Sequence, residues 1–85
     1  MRKFSYVIRD EQGIHARPAS LLVKVARSFD SDIQLESKGE CVNLKNLLAV
    51  MCLGIMQGDV INITCHGHDE EKAEREIKIF LEENL

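Results

Sequence analysis

The hydrophobic pattern of this chain changes its period several times, and this alternation limits the fold more than any other feature. Every second residue from Phe4 to Ile8 faces one side, as in a strand with one buried face. From Ala16 to about Arg27 the period becomes helical, and Pro18 falls in the first turn, where a missing N–H costs nothing. The predicted buried stripe of this helix consists of Ala19, Leu22, Val23 and Ala26.

The middle of the chain predicts a hairpin followed by a short helix. Ile33 and Leu35 alternate with polar residues, and Lys38-Gly39 supplies a two-residue turn before the next strand at Cys41-Val42. The apolar positions between Leu44 and Leu53 then predict a second helix that ends at Gly54.

The C-terminal part predicts one more strand and one more helix. Val60 to Cys65 alternates as a strand does, and Asp69 is a good N-cap for a helix that places Ala73, Ile77, Phe80 and Leu81 on one apolar stripe. The order β-α-β-β-α-β-α indicates an α+β open-faced sandwich, with a four-stranded antiparallel sheet and three helices on one face. We expect residues 1–85 to form a single domain, because a chain of this length suffices for one core.

Charge and cysteine usage exclude several classes of function. The net charge of −3 argues against nucleic-acid binding, and no apolar run is long enough for stable membrane insertion, so we expect a cytoplasmic protein. Cys41, Cys52 and Cys65 form no Cys-x-x-Cys pair, which favours reduced, buried or half-buried thiols. His66 and His68 follow Cys65, but this short run is a weak signal for a metal, and we expect no metal site.

The segment from Gly13 to Ser20 places a histidine directly before a helix and an arginine in its first turn. The first N–H groups of a helix lack intrahelical partners and attract anions. Arg17 adds charge-assisted hydrogen bonds to phosphate oxygens, and the imidazole of His15 is a nucleophile near neutral pH. Local physics alone leaves open that His15 is only a residue flanking the helix.

The segment Gly13-Ile14-His15-Ala16-Arg17-Pro18-Ala19 resembles the active-site signature of the HPr phosphocarrier family. The similarity continues through Val42-Asn43-Leu44-Lys45, Val50-Met51-Cys52-Leu53-Gly54 and Gly67-His68-Asp69-Glu70. The resemblance implies that enzyme I, charged by phosphoenolpyruvate, phosphorylates Nδ1 of His15, and that the group then passes to IIA domains of sugar permeases. It implies His15 and Arg17 as the catalytic residues, with the amides of Ala16 and Arg17 holding the phosphate oxygens. Such a carrier needs no cofactor and performs no small-molecule catalysis of its own.

Two surfaces near His15 are candidates for binding these partners. At about 100° per residue, four positions of the first helix fall on one face: Arg17, Ser20, Lys24 and Arg27. This basic ridge would complement acidic surfaces on enzyme I and IIA domains, although merely solvated charges give the same pattern.

The second helix is apolar on more than one side. If Val50 and Leu53 face the sheet, the side chains that project together elsewhere are Leu47, Leu48 and Met51. Such a patch is typical of an interaction site, and the alternative is that all of them fill the core. The resemblance implies that this face docks partners. We also expect the protein to be a monomer.

One position departs from part of the family. Many members from low-GC Gram-positive bacteria carry a regulatory serine in a Lys-Ser pair at the start of the second helix, where this chain has Lys45-Asn46. This difference argues against phosphorylation by the ATP-dependent HPr kinase and leaves open whether any regulatory role survives. A purely regulatory module of the same fold is the rival hypothesis, but it is disfavoured because His15 and Arg17 are present. A carrier in the nitrogen-related phosphotransfer chain would use the same His15 chemistry with other partners.

Overall fold

The computed structural model covers residues 1–85 and contains seven elements in the predicted order. The strands are β1 (Arg2–Val7), β2 (Asp32–Ser37), β3 (Glu40–Asn43) and β4 (Val60–His66), and the helices are α1 (Ala16–Arg27), α2 (Leu47–Cys52) and α3 (Glu70–Asn84). All strand pairs are antiparallel, in the spatial order β1-β4-β2-β3. The predicted α+β open-faced architecture is confirmed. None of the helices combines the length and apolar character needed to cross a membrane.

The core lies between one face of the sheet and the three helices. The strands bury alternate residues, among them Ile33, Leu35, Ile61, Ile63 and Cys65. The predicted stripe of α1 is confirmed, since Ala19, Leu22, Val23 and Ala26 are all buried. The stripe belongs to the same core as the buried strand residues, and its burial fixes the position of the helix N-terminus, where His15 lies.

The second helix begins later than the sequence predicts, at Leu47 rather than near Leu44. The reason is side-chain chemistry in the preceding segment. Asn43 accepts a hydrogen bond from the Lys45 N–H with its Oδ1, which forms a turn, and Asn46 caps the helix by accepting from the Ala49 N–H at 3.1 Å.

The expectation that all three cysteines are buried or half-buried is wrong for two of them. Cys41 lies on the edge strand β3 and Cys52 at the end of α2, and both are exposed. Only Cys65 belongs to the core, where burial raises the pKa of its thiol to about 11. Cys41 pairs with Glu36, whose side chain lies on the sheet face that carries no helix, so strand alternation explains the exposure of Cys41.

Asp69 occupies the N-cap position of α3, but its carboxylate does not cap the helix. It accepts hydrogen bonds from the N–H of Asp30 at 2.8 Å, the N–H of Ser31 at 3.0 Å and the hydroxyl of Ser31. The Ser31 hydroxyl and these backbone donors lower the pKa of Asp69 to about 2. Asp69 thus ties the start of α3 to the connection between α1 and β2.

Two buried serines allow a direct test of this tie. Ser31→Ala should lower the melting temperature by about 5–10 °C, because it removes a donor to a charged acceptor. Ser37→Ala is the control and should not lower it, since the buried Ser37 hydroxyl has no partner. The loss caused by Ser31→Ala should shrink as the pH falls from 4 towards 2, because a depressed pKa means that the bonds to ionised Asp69 are lost as it is protonated. Thermal unfolding at several pH values measures both effects.

Candidate functional site

His15 occupies the N-cap position of α1 in an extended conformation, with φ −110° and ψ 176°. Its side chain makes no capping hydrogen bond and is 38% exposed. The N–H groups of Ala16 and Arg17 follow it and donate to no other atom of the protein, and Pro18 has no N–H. No acidic residue lies in the first turn of α1. An anion bound to the His15 ring would therefore meet free donors and the positive end of the helix dipole.

The side chain of Arg17 is exposed and forms no ion pair or hydrogen bond within the protein. It stands two residues after His15, in the first turn of the helix. Its guanidinium is therefore free to bind a phosphate group beside the ring, which is the role that the sequence predicts for it.

Gly13 sets the path of the chain into this site. Its φ is +66°, and a Cβ built on it would lie 2.2 Å from the backbone oxygen of Ile55. The neighbouring N–H of Ile14 donates to that same oxygen at 3.1 Å. The loop that carries His15 is thus pressed against the segment after α2, and only glycine fits the contact.

Asp10 is a residue of the site that the sequence analysis did not single out. Its Oδ1 accepts from the Gln12 N–H at 2.8 Å, and its Oδ2 lies 3.7 Å from Nε2 of His15. The pattern of an aspartate three residues before a glycine is typical of a tight turn. That signal predicts the turn, but it does not predict the approach to the ring.

The residues predicted as a basic ridge, Arg17, Ser20, Lys24 and Arg27, are all exposed on α1. Arg17 and Lys24 are free of intramolecular partners, whereas the Nε–H of Arg27 donates to the backbone oxygen of Lys45 at 2.8 Å. Lys45 in turn donates through Nζ to the backbone oxygen of Phe29 at 2.6 Å. Arg27 and Lys45 therefore fasten the segment before α2 to the end of α1.

A shallow apolar groove lies between α1 and α2, lined by Ala16, Ser20, Leu47, Leu48 and Met51. Leu48 is 73% and Met51 37% exposed, while Val50 is buried, as the sequence argument requires. Leu47 is half-buried and also packs against the core. The groove begins at Ala16, immediately after His15, so a protein bound there would also reach the imidazole.

A second group of titratable side chains lies at the opposite end of α1, about 18 Å away for a twelve-residue helix. Candidate ligand atoms of Asp30, His68 and Asp69 lie within 4.8 Å of one another. Nε2 of His68 is 2.9 Å from Oδ2 of Asp30, and the carboxylate of Asp69 is engaged by Ser31. These contacts join the connection between α1 and β2 to the start of α3, and they explain why the three side chains lie close together.

The family model and the similar solved structures indicate the same protein family. The family model described as "PTS HPr component phosphorylation site" matches residues 2–83. The histidine-containing phosphocarrier protein of a Mycoplasma is 39% identical, with a TM-score of 0.94 over 96% of this chain and 93% of its own. The phosphocarrier protein HPr of Bacillus anthracis str. Ames is 34% identical, with a TM-score of 0.88 over 94% of this chain and 95% of its own.

A third relative forms a dimer. The catabolite-repression protein Crh of Bacillus subtilis is 32% identical, with a TM-score of 0.77 over 94% of this chain and 92% of its own, and it is described as a dimer with a swapped domain. Relatives of this fold therefore include dimers, and the monomer expected from the sequence stays a prediction.

Proposed function

Because the chain belongs to the HPr family of phosphotransferase-system phosphocarriers, we propose that Nδ1 of His15 accepts a phosphoryl group from phosphorylated enzyme I and passes it to IIA domains of sugar permeases. The lone pair of Nδ1 forms the new bond to phosphorus. The bond between phosphorus and the donor atom of enzyme I breaks, and its electron pair stays on the donor. The reverse exchange with a IIA domain regenerates free His15. The reaction takes place in the cytoplasm and requires no cofactor on this chain.

One observation carries this proposal, namely the position of His15 at the N-terminus of α1. The free N–H groups of Ala16 and Arg17 lie next to it, and the Arg17 side chain has no other partner. A phosphoryl group on His15 would therefore gain backbone hydrogen bonds, the field of the helix and a guanidinium contact. These interactions hold the phosphate without covering the half-exposed ring, so that the next protein has access to it.

We assign partner binding to the groove between α1 and α2 together with the basic ridge. The apolar side chains of Leu48 and Met51 would supply buried contact area in a complex, and Arg17 and Lys24 would supply charge complementarity to acidic partners. Both surfaces adjoin His15. Enzyme I and IIA domains would then use overlapping sites, so that only one of them can bind at a time.

Regulatory phosphorylation at the start of α2 is not part of the proposed function. Asn46 has no hydroxyl to accept a phosphoryl group, and its side-chain oxygen is occupied in capping the helix. Asn46 therefore argues against regulation through a phosphorylated residue at this position.

The proposal is tested by incubating the protein with enzyme I and phosphoenolpyruvate, followed by mass spectrometry under alkaline conditions. We expect one acid-labile phosphoryl group, located on His15 by fragmentation, that disappears when a IIA domain is added. Absence of any phosphoryl group, with enzyme I shown to be active on another HPr, would refute the carrier assignment.

Replacing Leu48 by aspartate should weaken binding to enzyme I and to IIA domains by roughly tenfold or more. The side chain is 73% exposed, so the melting temperature should change by no more than a few degrees. Isothermal titration calorimetry measures the affinity.

The matched control is Ile79→Asp, which places the same charge at an exposed apolar position of α3, outside the groove. It should leave both affinities unchanged. Equal losses for Leu48→Asp and Ile79→Asp would indicate a general effect of negative charge and would remove the groove from the proposal.

A further inference from the structure

The carboxylate of Asp10 faces the side of the His15 ring that is not the proposed phosphorylation site. Its Oδ2 lies 3.7 Å from Nε2, and it is the one carboxylate within 4.0 Å of a ring nitrogen of His15. We propose that Asp10 is a positioning residue, which keeps the ring proton on Nε2 and so leaves the lone pair on Nδ1. This inference rests on the proposed function, because the tautomer matters for transfer only if Nδ1 is the acceptor.

Three hydrogen bonds hold Asp10 in place. Its Oδ1 accepts from the Gln12 N–H at 2.8 Å, its backbone oxygen accepts from the Gly13 N–H at 2.9 Å, and its N–H donates to the Leu85 backbone oxygen at 3.1 Å. Oδ2 accepts none of these bonds and is therefore the oxygen left to act on the ring. Because the turn that fixes the carboxylate ends at Gly13, two residues before His15, the carboxylate and the ring are set by one short piece of backbone.

The chemistry follows from the two nitrogens of neutral imidazole, one of which carries the proton while the other keeps a lone pair. A negative charge beside Nε2 favours the form with the proton on Nε2. When Nδ1 attacks phosphorus, Nε2 keeps its proton and the ring gains one positive charge. The carboxylate of Asp10 then attracts that charge, so it favours both the reactive form of His15 and the phosphorylated product.

The variant Asp10→Asn isolates this role because it keeps the shape of the side chain. The carboxamide oxygen can still accept from the Gln12 N–H, which turns the amide NH₂ towards Nε2 of His15. A donor in that place favours the lone pair on Nε2 and the proton on Nδ1, the reverse of the wild-type preference. We expect a smaller fraction of the Nε2–H form and phosphorylation by enzyme I slower by roughly fivefold or more.

The two readouts are independent of each other. Two-bond ¹H–¹⁵N correlation spectra of the unphosphorylated protein, recorded where the ring is neutral, give the tautomer ratio of His15. Rapid-quench measurements with phosphorylated enzyme I give the transfer rate. The tautomer ratio needs no partner protein, so it can support or contradict the role of Asp10 in the ring even if the protein is not a carrier. Failure of the wild type to be phosphorylated would instead refute the proposed function.

Glu11→Gln is the matched control, since it removes the same charge one residue along the loop from an exposed side chain without an ion pair. It should leave the tautomer ratio and the transfer rate unchanged. An Asp10→Asn protein with an unchanged tautomer ratio would overturn the inference, whatever its transfer rate, because a slower rate alone would then reflect a distorted loop. Backbone amide spectra of both variants establish that the fold is retained.

Discussion

Replacing His15 by alanine is expected to abolish phosphorylation by enzyme I and phosphoenolpyruvate while leaving the protein folded. The transfer should fall below detection, because no other nitrogen at the N-terminus of α1 can form the bond to phosphorus. The stability should change little, since the ring is half-exposed and makes no capping hydrogen bond. Mass spectrometry under alkaline conditions measures the first effect, and thermal unfolding measures the second.

The other two histidines provide the controls for this experiment. His66 and His68 are exposed and lie at the end of β4 and in the turn after it, near the far end of α1. His66→Ala and His68→Ala should therefore be phosphorylated at the wild-type rate. An acid-labile phosphoryl group that persists in His15→Ala and is lost from one of these variants would show that the site assignment is wrong.

The order of elements is predictable from the sequence because each helix and strand buries one face. The stripe of α1 and the alternation of β4 repeat over enough residues for the period to be read without knowledge of the fold. The strand order β1-β4-β2-β3 is not predictable in this way, because it depends on contacts between segments far apart in the chain. The true start of α2 is also missed, since the turn at Asn43 and the cap at Asn46 make the helix begin later than the apolar pattern indicates.

The residues of the candidate site also fall into those that the sequence predicts and those that it does not. His15 and Arg17 stand in one short motif at the start of a predicted helix, so a resemblance confined to neighbouring residues suffices to select them. The contact of Gly13 with Ile55 crosses between two loops that are distant in sequence. Asp10 is close to His15 in sequence, but its approach to Nε2 depends on the turn at Gln12 and Gly13. The residue types that perform the chemistry can therefore be identified from one short segment. Their positions relative to one another depend on the folded backbone, through the turn before His15 and the contact with Ile55.

Gly13→Ala is expected to be the most damaging single-methyl change near the site. The position has φ +66°, which costs an alanine about 1–2 kcal/mol. The added Cβ would also lie 2.2 Å from the Ile55 backbone oxygen and 2.8 Å from the Met56 Cα, and backbone cannot move aside as a flexible side chain can. Overpacking of this kind adds about 1–3 kcal/mol. We expect a total loss of roughly 3 kcal/mol in the free energy of unfolding, measured by urea denaturation.

Gly54→Ala separates the two causes. Gly54 has nearly the same φ, +62°, but no atom lies within 4 Å of a Cβ built on it, so this variant carries the backbone cost without the clash. It should lose only about 1–2 kcal/mol and be phosphorylated at nearly the wild-type rate. Gly13→Ala should in addition be phosphorylated more slowly, because relief of the clash displaces the loop that carries His15. Equal losses of stability and rate in the two variants would mean that the contact with Ile55 does not position the active-site loop.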